Sequence, residues 1–246
     1  MSRFWKKPGP RLMLALVALL LTGFALSYWW LGNLVHEVAG TVAIIVLLRH
    51  VLNNRAWWRQ LGRGRWDLRR VLSAALTLLL AVNALVLAAT SLAVSETLFS
   101  ALNLPTLYVL REVHWFSAYW MIALAGLHLG MNGHRIKAYL SRLGALDPVS
   151  RPVRWAAILL WIAVAVQGVA SGGALGLWPR LSFRYSLAMW DFNASVLPYF
   201  LHLGAFVGLF ALLGWLLATC ASSGGPGAPM GITFGRPGNR SLPPGS

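Results

Sequence analysis

The chain has 246 residues, 58% hydrophobic and 11% charged, with a net charge of +15. That composition excludes an ordinary soluble domain and calls for membrane spans. The basic residues fall between apolar runs, so their excess gives no reason to expect nucleic-acid binding. A lone cysteine, Cys220, excludes an intrachain disulfide, a covalent Cys-x-x-Cys-His haem attachment and a multi-cysteine iron–sulfur site.

Six apolar runs follow in chain order, at 12–31, 36–52, 71–94, 113–131, 155–172 and 197–220. Each is long enough to cross a bilayer, which predicts an all-α membrane protein with six transmembrane helices. The first run follows a basic start, and Ala25-Leu26-Ser27 imitates a signal-peptide cleavage site. Its apolar character continues through Tyr28, Trp29 and Trp30, which suit an interfacial aromatic belt, so an uncleaved first span is expected.

Charge sets the expected orientation. Of 21 Lys and Arg, all but Arg111, Arg180 and Arg184 fall in alternate segments, which should be cytoplasmic together with both termini.

The second run contains His36 and His50, and the fourth His114 and His128, each pair 14 residues apart. Fourteen residues rise about 21 Å along an α-helix and come within about 40° of four whole turns, so each helix presents two imidazoles on nearly one face. One span separates the two helices, which makes them parallel. His36 should then face His114 at one depth, and His50 should face His128 at the other. The face between reads His36, Gly40, Ala43, Leu47, His50 on one helix and His114, Ala118, Met121, Ala125, His128 on the other. Small side chains such as Gly40 and Ala118 leave room there for a flat cofactor.

Ionisable side chains inside a bilayer are costly and mark function. Two facing imidazoles fill both axial positions of a haem iron, whereas zinc asks for three or four ligands at one place. The expected metal ligands are therefore His36, His114, His50 and His128, holding two non-covalent haems b. Of the other histidines, His134 lies about 240° around a helix from His128 and is read as a solvated loop residue. His202, near an end of the sixth run, is read as a hydrogen-bonded interfacial histidine.

These residues resemble the haem-bearing helices of membrane b-type cytochromes. The likeness is greatest to a bacterial inner-membrane di-haem family with a four-His, four-helix core. It rests on Thr22-Gly23, His36-Glu37 with Gly40 and His50, Trp57-Trp58, His114-Trp115, Tyr119 and His128-Leu129-Gly130, and covers roughly residues 12–142. Thr90-Ser91 and Met131-Asn132 depart from that pattern. The resemblance implies a cytochrome-b-like four-helix di-haem core at 1–150; outside it, the apolar runs predict two additional transmembrane helices at 151–220, and the Gly/Pro/Ser-rich composition predicts a disordered tail at 221–246. The resemblance also implies a multi-pass protein of the bacterial inner membrane.

Gly168, Gly172 and Gly176 in the fifth run and Gly204 and Gly208 in the sixth should allow close helix packing, within the chain or with a partner. No dinucleotide or phosphate-loop fingerprint is present. The expected role is accordingly an electron-transfer subunit of a respiratory chain, in contact with membrane lipid, passing electrons between a partner redox protein and the quinone pool. Glu37 and Glu112, beside His36 and His114, either are solvated at the interface or serve a quinone near the outer haem as proton carriers. Competing readings are a ferric-reductase-like haem protein, a metal or haem transporter using buried histidines, and a membrane scaffold.

Overall fold

The computed structural model of the chain describes residues 8–64, 66–105, 107–142 and 151–223. Arg3, Lys6, Lys7, Arg65, Arg236, Arg240 and the expected disordered tail lie outside the described residues, apart from 221–223, which end the last helix.

Among the described residues the regular structure is entirely helical. Four helices are long and apolar enough to cross a membrane: α2 (Tyr28–Asn53), α4 (Leu68–Val94), α7 (Arg151–Ala174) and α9 (Leu197–Ser223). They identify a membrane protein. Their outer faces are apolar, with Leu85 71% and Val166 67% exposed, as lipid contact requires.

The other two expected spans differ for identifiable reasons. Helix α1 (Pro8–Ala25) is apolar but short. The run 12–31 is divided by a turn, in which Ser27 Oγ donates to Phe24 O (2.6 Å) and Trp30 N–H to Ser27 O (2.9 Å). Tyr28, Trp29 and Trp30 therefore open α2 rather than close α1. Helix α5 (Tyr108–Met131) has the length of a span, but His114, His128, Trp115, Tyr119 and Trp120 make it less apolar than the four.

Three short helices occupy the connections: α3 (Arg55–Gln60), α6 (Gly133–Arg142) and α8 (Leu177–Leu181). His134 therefore sits in a helix rather than a loop; it is exposed and accepts a hydrogen bond from Arg69. Asp67 caps α4, its carboxylate accepting from Arg70 N–H at 2.7 Å. Helix α2 carries a kink at Gly32, whose φ of 77° only glycine adopts freely.

Packing follows two groupings. Helix α1 lies along α2, while α5 lies between α4 and α9, and α7 backs α9. The α5–α9 contact is close because glycines meet backbone. A Cβ at Gly126 would fall 2.7 Å from Val207 O, and one at Gly130 would collide with Ala211 O. The α7–α9 contact uses Gly168, whose Cβ would meet Ala205 O at 2.6 Å, and Gly208, whose Cβ would meet Val164 at 2.6 Å. Gly204 faces open space instead. The buried core, with Ile122 and Phe206 at 0% exposure, lies between α5, α8 and α9. The segment 151–223 is thus the buttress of the helix that carries His114 and His128.

Candidate cofactor site

Helices α2 and α5 have no extended packing against each other. Their histidine side chains nevertheless meet at one end. The rings of His36 and His114 lie 6.0 Å apart between centroids, with planes 74° apart. Two imidazoles bound through nitrogen to opposite sides of one metal ion require a centroid separation of about 6 Å, given metal–nitrogen bonds of about 2 Å.

Hydrogen bonding fixes which nitrogen is free. His36 Nδ1 is 2.7 Å from Ala25 O, a group that only accepts, so Nδ1 carries the proton and Nε2 keeps its lone pair. His114 Nδ1 is 3.3 Å from Thr90 Oγ1. The Thr90 hydroxyl donates back to Val86 O at 2.8 Å, so its oxygen accepts from His114. In its neutral form each ring would therefore present an unprotonated Nε2, the arrangement in which an imidazole ligates a metal while its other nitrogen is held by an outer partner.

The opposite end is built differently. His50 Nδ1 donates to Arg11 O at 3.2 Å. His128 Nδ1 is buried with no hydrogen-bond partner in the protein. His50 and His128 are not in ring contact among the described residues, although His50 is near enough for its charge to act on His128. Each is followed four residues later by an asparagine that caps its helix. Asn54 Nδ2 donates to His50 O (2.8 Å), and Asn132 Nδ2 to His128 O (2.9 Å). Both amides also sit 3.4 Å from the imidazole Nε2, at the outer limit of a hydrogen bond.

Between the two ends, a Cβ added at Gly40 would meet nothing within 4 Å, so this stretch of α2 leaves room beside it. Ala43 is buried and Ala118 half-buried. Among the described residues, no three His, Cys, Asp or Glu side chains gather as a metal cluster. The donors come in twos, a set suited to the two axial positions of a haem iron. The His36–His114 pair fits that group in spacing and tautomer; the His50–His128 pair supplies the same residue type, but Asn54 and Asn132 stand beside its Nε2 atoms and His128 Nδ1 has no partner.

Glu37 does not have the freedom expected of a proton carrier. Its carboxylate accepts six hydrogen bonds: from Asn33 Nδ2 (2.8 Å), Ser95 Oγ (2.7 Å), Thr97 Oγ1 (2.6 Å) and the N–H groups of Glu96, Thr97 and Leu98 (2.8, 3.2 and 2.7 Å). Six donors occupy its acceptor capacity. Glu37 instead fastens the end of α4, which carries Thr90, to α2, which carries His36. Glu112 is engaged by Tyr108. His202 is hydrogen-bonded to Ser171 Oγ at 2.9 Å and lies against Trp190, away from either pair.

Sequence marks Thr90 and Asn132 only as departures from the b-type pattern, with no contact to the histidines assigned, and does not mark Asn54 at all. A signal for the asparagines was present, since His-x13-His-x3-Asn occurs in both helices. The class defined so far is an all-helical membrane protein with paired histidines on two of its helices. Comparison with known proteins returned no matching family model, no similar curated protein and no similar solved structure.

Proposed function

We propose that this chain is a di-haem b-type membrane cytochrome that carries electrons across the bilayer between a partner redox protein and the quinone pool. The observation that carries this reading is the His36–His114 pair, in ring contact with both Nδ1 atoms held and both Nε2 atoms open. Haem iron, bound there, supplies a one-electron couple. Two imidazole ligands leave no open position for oxygen, which favours electron transfer over oxygen chemistry. The chain's own part is to hold the rings, to exclude water with apolar helices and to keep two ligand pairs at different depths.

In this reading α1 and α5 complete six spans, α1, α2, α4 and α5 form the haem core, and α7 and α9 support α5. The basic segments and both termini face the cytoplasm of a bacterium, which puts His36 and His114 near the outer surface. The resemblance of residues 12–142 to the four-His di-haem family supports the same assignment. A quinone, if held here, falls to the Glu112 side, since Glu37 is occupied.

The test is the visible spectrum of the purified chain, oxidised and then reduced with dithionite. Two low-spin haems b per chain are expected. A preparation of folded protein that neither contains nor takes up haem overturns the reading and leaves the histidines to metal or haem transport.

A further inference from the structure

At the end of the bundle where α1 begins and α2 ends lies a recess of about 400 Å³. Its wall is formed by Arg11, Asn53, Arg55, Arg59, Gln60 and Arg63. Four guanidinium groups thus line one small volume with no carboxylate among its lining residues. Arg55, Arg59 and Arg63 are exposed, and the only ion pair among the described residues, Arg111 with Glu96, is elsewhere.

The floor of the recess is unusual in a different way. Asn53 is only 3% exposed, yet neither its Nδ2 nor its Oδ1 has a hydrogen-bond partner, and Arg11 Nε is buried and unpartnered too. Buried polar atoms without partners are costly, by about 1–3 kcal/mol each, and are rare enough to require a reason. The unmet groups are two donors, Arg11 Nε–H and Asn53 Nδ2–H, and one acceptor, Asn53 Oδ1. An anionic oxygen cluster satisfies the donors and the surrounding guanidinium charge together. A hydroxyl on the same ligand satisfies the acceptor.

The position of the recess narrows the source of that anion. Met13 and Leu16 on α1, and Leu48 and Leu52 on α2, are exposed apolar side chains close in sequence to Arg11 and Asn53. Trp57 and Trp58, on the same short helix as Arg55 and Arg59, lie edge to face with centroids 4.9 Å apart. Tryptophans beside arginines at the end of apolar helices mark the headgroup level of a bilayer, where basic pockets between helices take anionic lipid headgroups.

We propose that this recess binds the phosphodiester of an anionic phospholipid with a hydroxyl-bearing headgroup. Its phosphate oxygens accept from Arg11 and Asn53 within the recess and from Arg55, Arg59 and Arg63 around it. The headgroup hydroxyl donates to Asn53 Oδ1, and the acyl chains run along the exposed apolar faces of α1 and α2. The assignment is independent of what the histidines hold.

The test uses the full-length protein in neutral detergent, freed of co-purified lipid. It is titrated with dioleoylphosphatidylglycerol, dioleoylphosphatidylcholine or inorganic phosphate, with adducts read by native mass spectrometry and Tm measured in parallel. The glycerol lipid should be retained about tenfold more tightly than the choline lipid and should raise Tm. The triple variant Arg55→Gln, Arg59→Gln, Arg63→Gln should lose that tenfold preference, while Arg142→Gln, Arg151→Gln, Arg154→Gln should keep it. Asn53→Leu should lose the lipid-dependent rise in Tm while keeping the lipid-free Tm, because it removes atoms that have no protein partner. Equal retention of the two lipids overturns the proposal, as does equal loss of preference in both triple variants or a Tm rise reproduced by inorganic phosphate. A lowered lipid-free Tm in Asn53→Leu makes that residue part of the fold and overturns its role in binding.

Discussion

The two histidine ends share residue type, spacing and helices, yet differ in how firmly their rings are held. Helix α1 serves both histidines of α2 through backbone carbonyls, Ala25 O for His36 and Arg11 O for His50. Those carbonyls are themselves 14 residues apart, matching the histidines they hold. Helix α4 serves α5 through a side chain, Thr90 for His114. Fourteen residues back along α4 stands Leu76, which has no polar side-chain atom, and His128 Nδ1 has no partner. A backbone acceptor repeats wherever the helix goes, whereas a side-chain acceptor must be placed once for each ligand.

The largest expected effect comes from removing ligands. If each pair holds one of two haems, as proposed, His114→Ala should cost about half the haem and His128→Ala the other half. Pyridine-haemochrome assay of each purified variant reads this directly; haem at wild-type level in both sinks the pairing. Before any substitution the ends should already differ. Loss of an outer-shell hydrogen bond costs metal sites about 10–100-fold in affinity, so transfer of haem to excess apomyoglobin should empty the His50–His128 end first.

A smaller effect tests the origin of that difference. Thr90→Val keeps the side chain's shape but removes the acceptor for His114 Nδ1. It should weaken the His36–His114 end about tenfold, so that transfer to apomyoglobin becomes a single phase. Two phases as well separated as in the wild type would show that Thr90 is not what distinguishes the ends.

Glu37→Gln should act on the fold more than on the ligands. The amide is isosteric but uncharged, and it turns one acceptor oxygen into a donor facing other donors. A loss of about 2 kcal/mol of stability is expected, seen as a lower Tm, with the reduced haem spectrum unchanged in shape.

The smallest effect is a pH dependence at His134. Partial burial, then the charges of Arg69 and Arg135, lower its pKa below the ordinary value. The folded state therefore favours the neutral ring, which accepts from Arg69. Its contribution to stability is present above pH 6.5, the ordinary value, and fades as pH falls below it. His134→Gln should flatten that slope in Tm against pH between about 7 and 5.

Much of the helical plan was legible because apolar runs, basic connections and a 14-residue histidine spacing are strong local signals. The end of the first helix was not. Leu26 and Ser27 continue the apolar run well enough to hide a turn that depends on a hydroxyl reaching Phe24 O. Nor was the support of α5 by α9, since Gly126 and Gly130 reveal themselves only when opposed to Val207 and Ala211. The two departures from the b-type pattern prove informative. Thr90 contacts His114, and Asn132 caps the helix at His128. Where the chain leaves the pattern it resembles, it supplies its own neighbours to the histidines.

The Glu37 fastening also sets an order of events during synthesis. Five of its six hydrogen bonds come from residues 58 to 61 positions further along the chain. At about 5–20 residues per second, α1 and α2 emerge several seconds before those donors exist. During that interval the flank of α2 at Gly40 is open and neither of its histidines has a counterpart. Each ligand pair draws one member from α5, so a complete site first exists after α5 has been made. On the proposed di-haem reading, loading of the cofactor would be a late step of biogenesis, and a chain truncated before α5 should insert without ever becoming coloured.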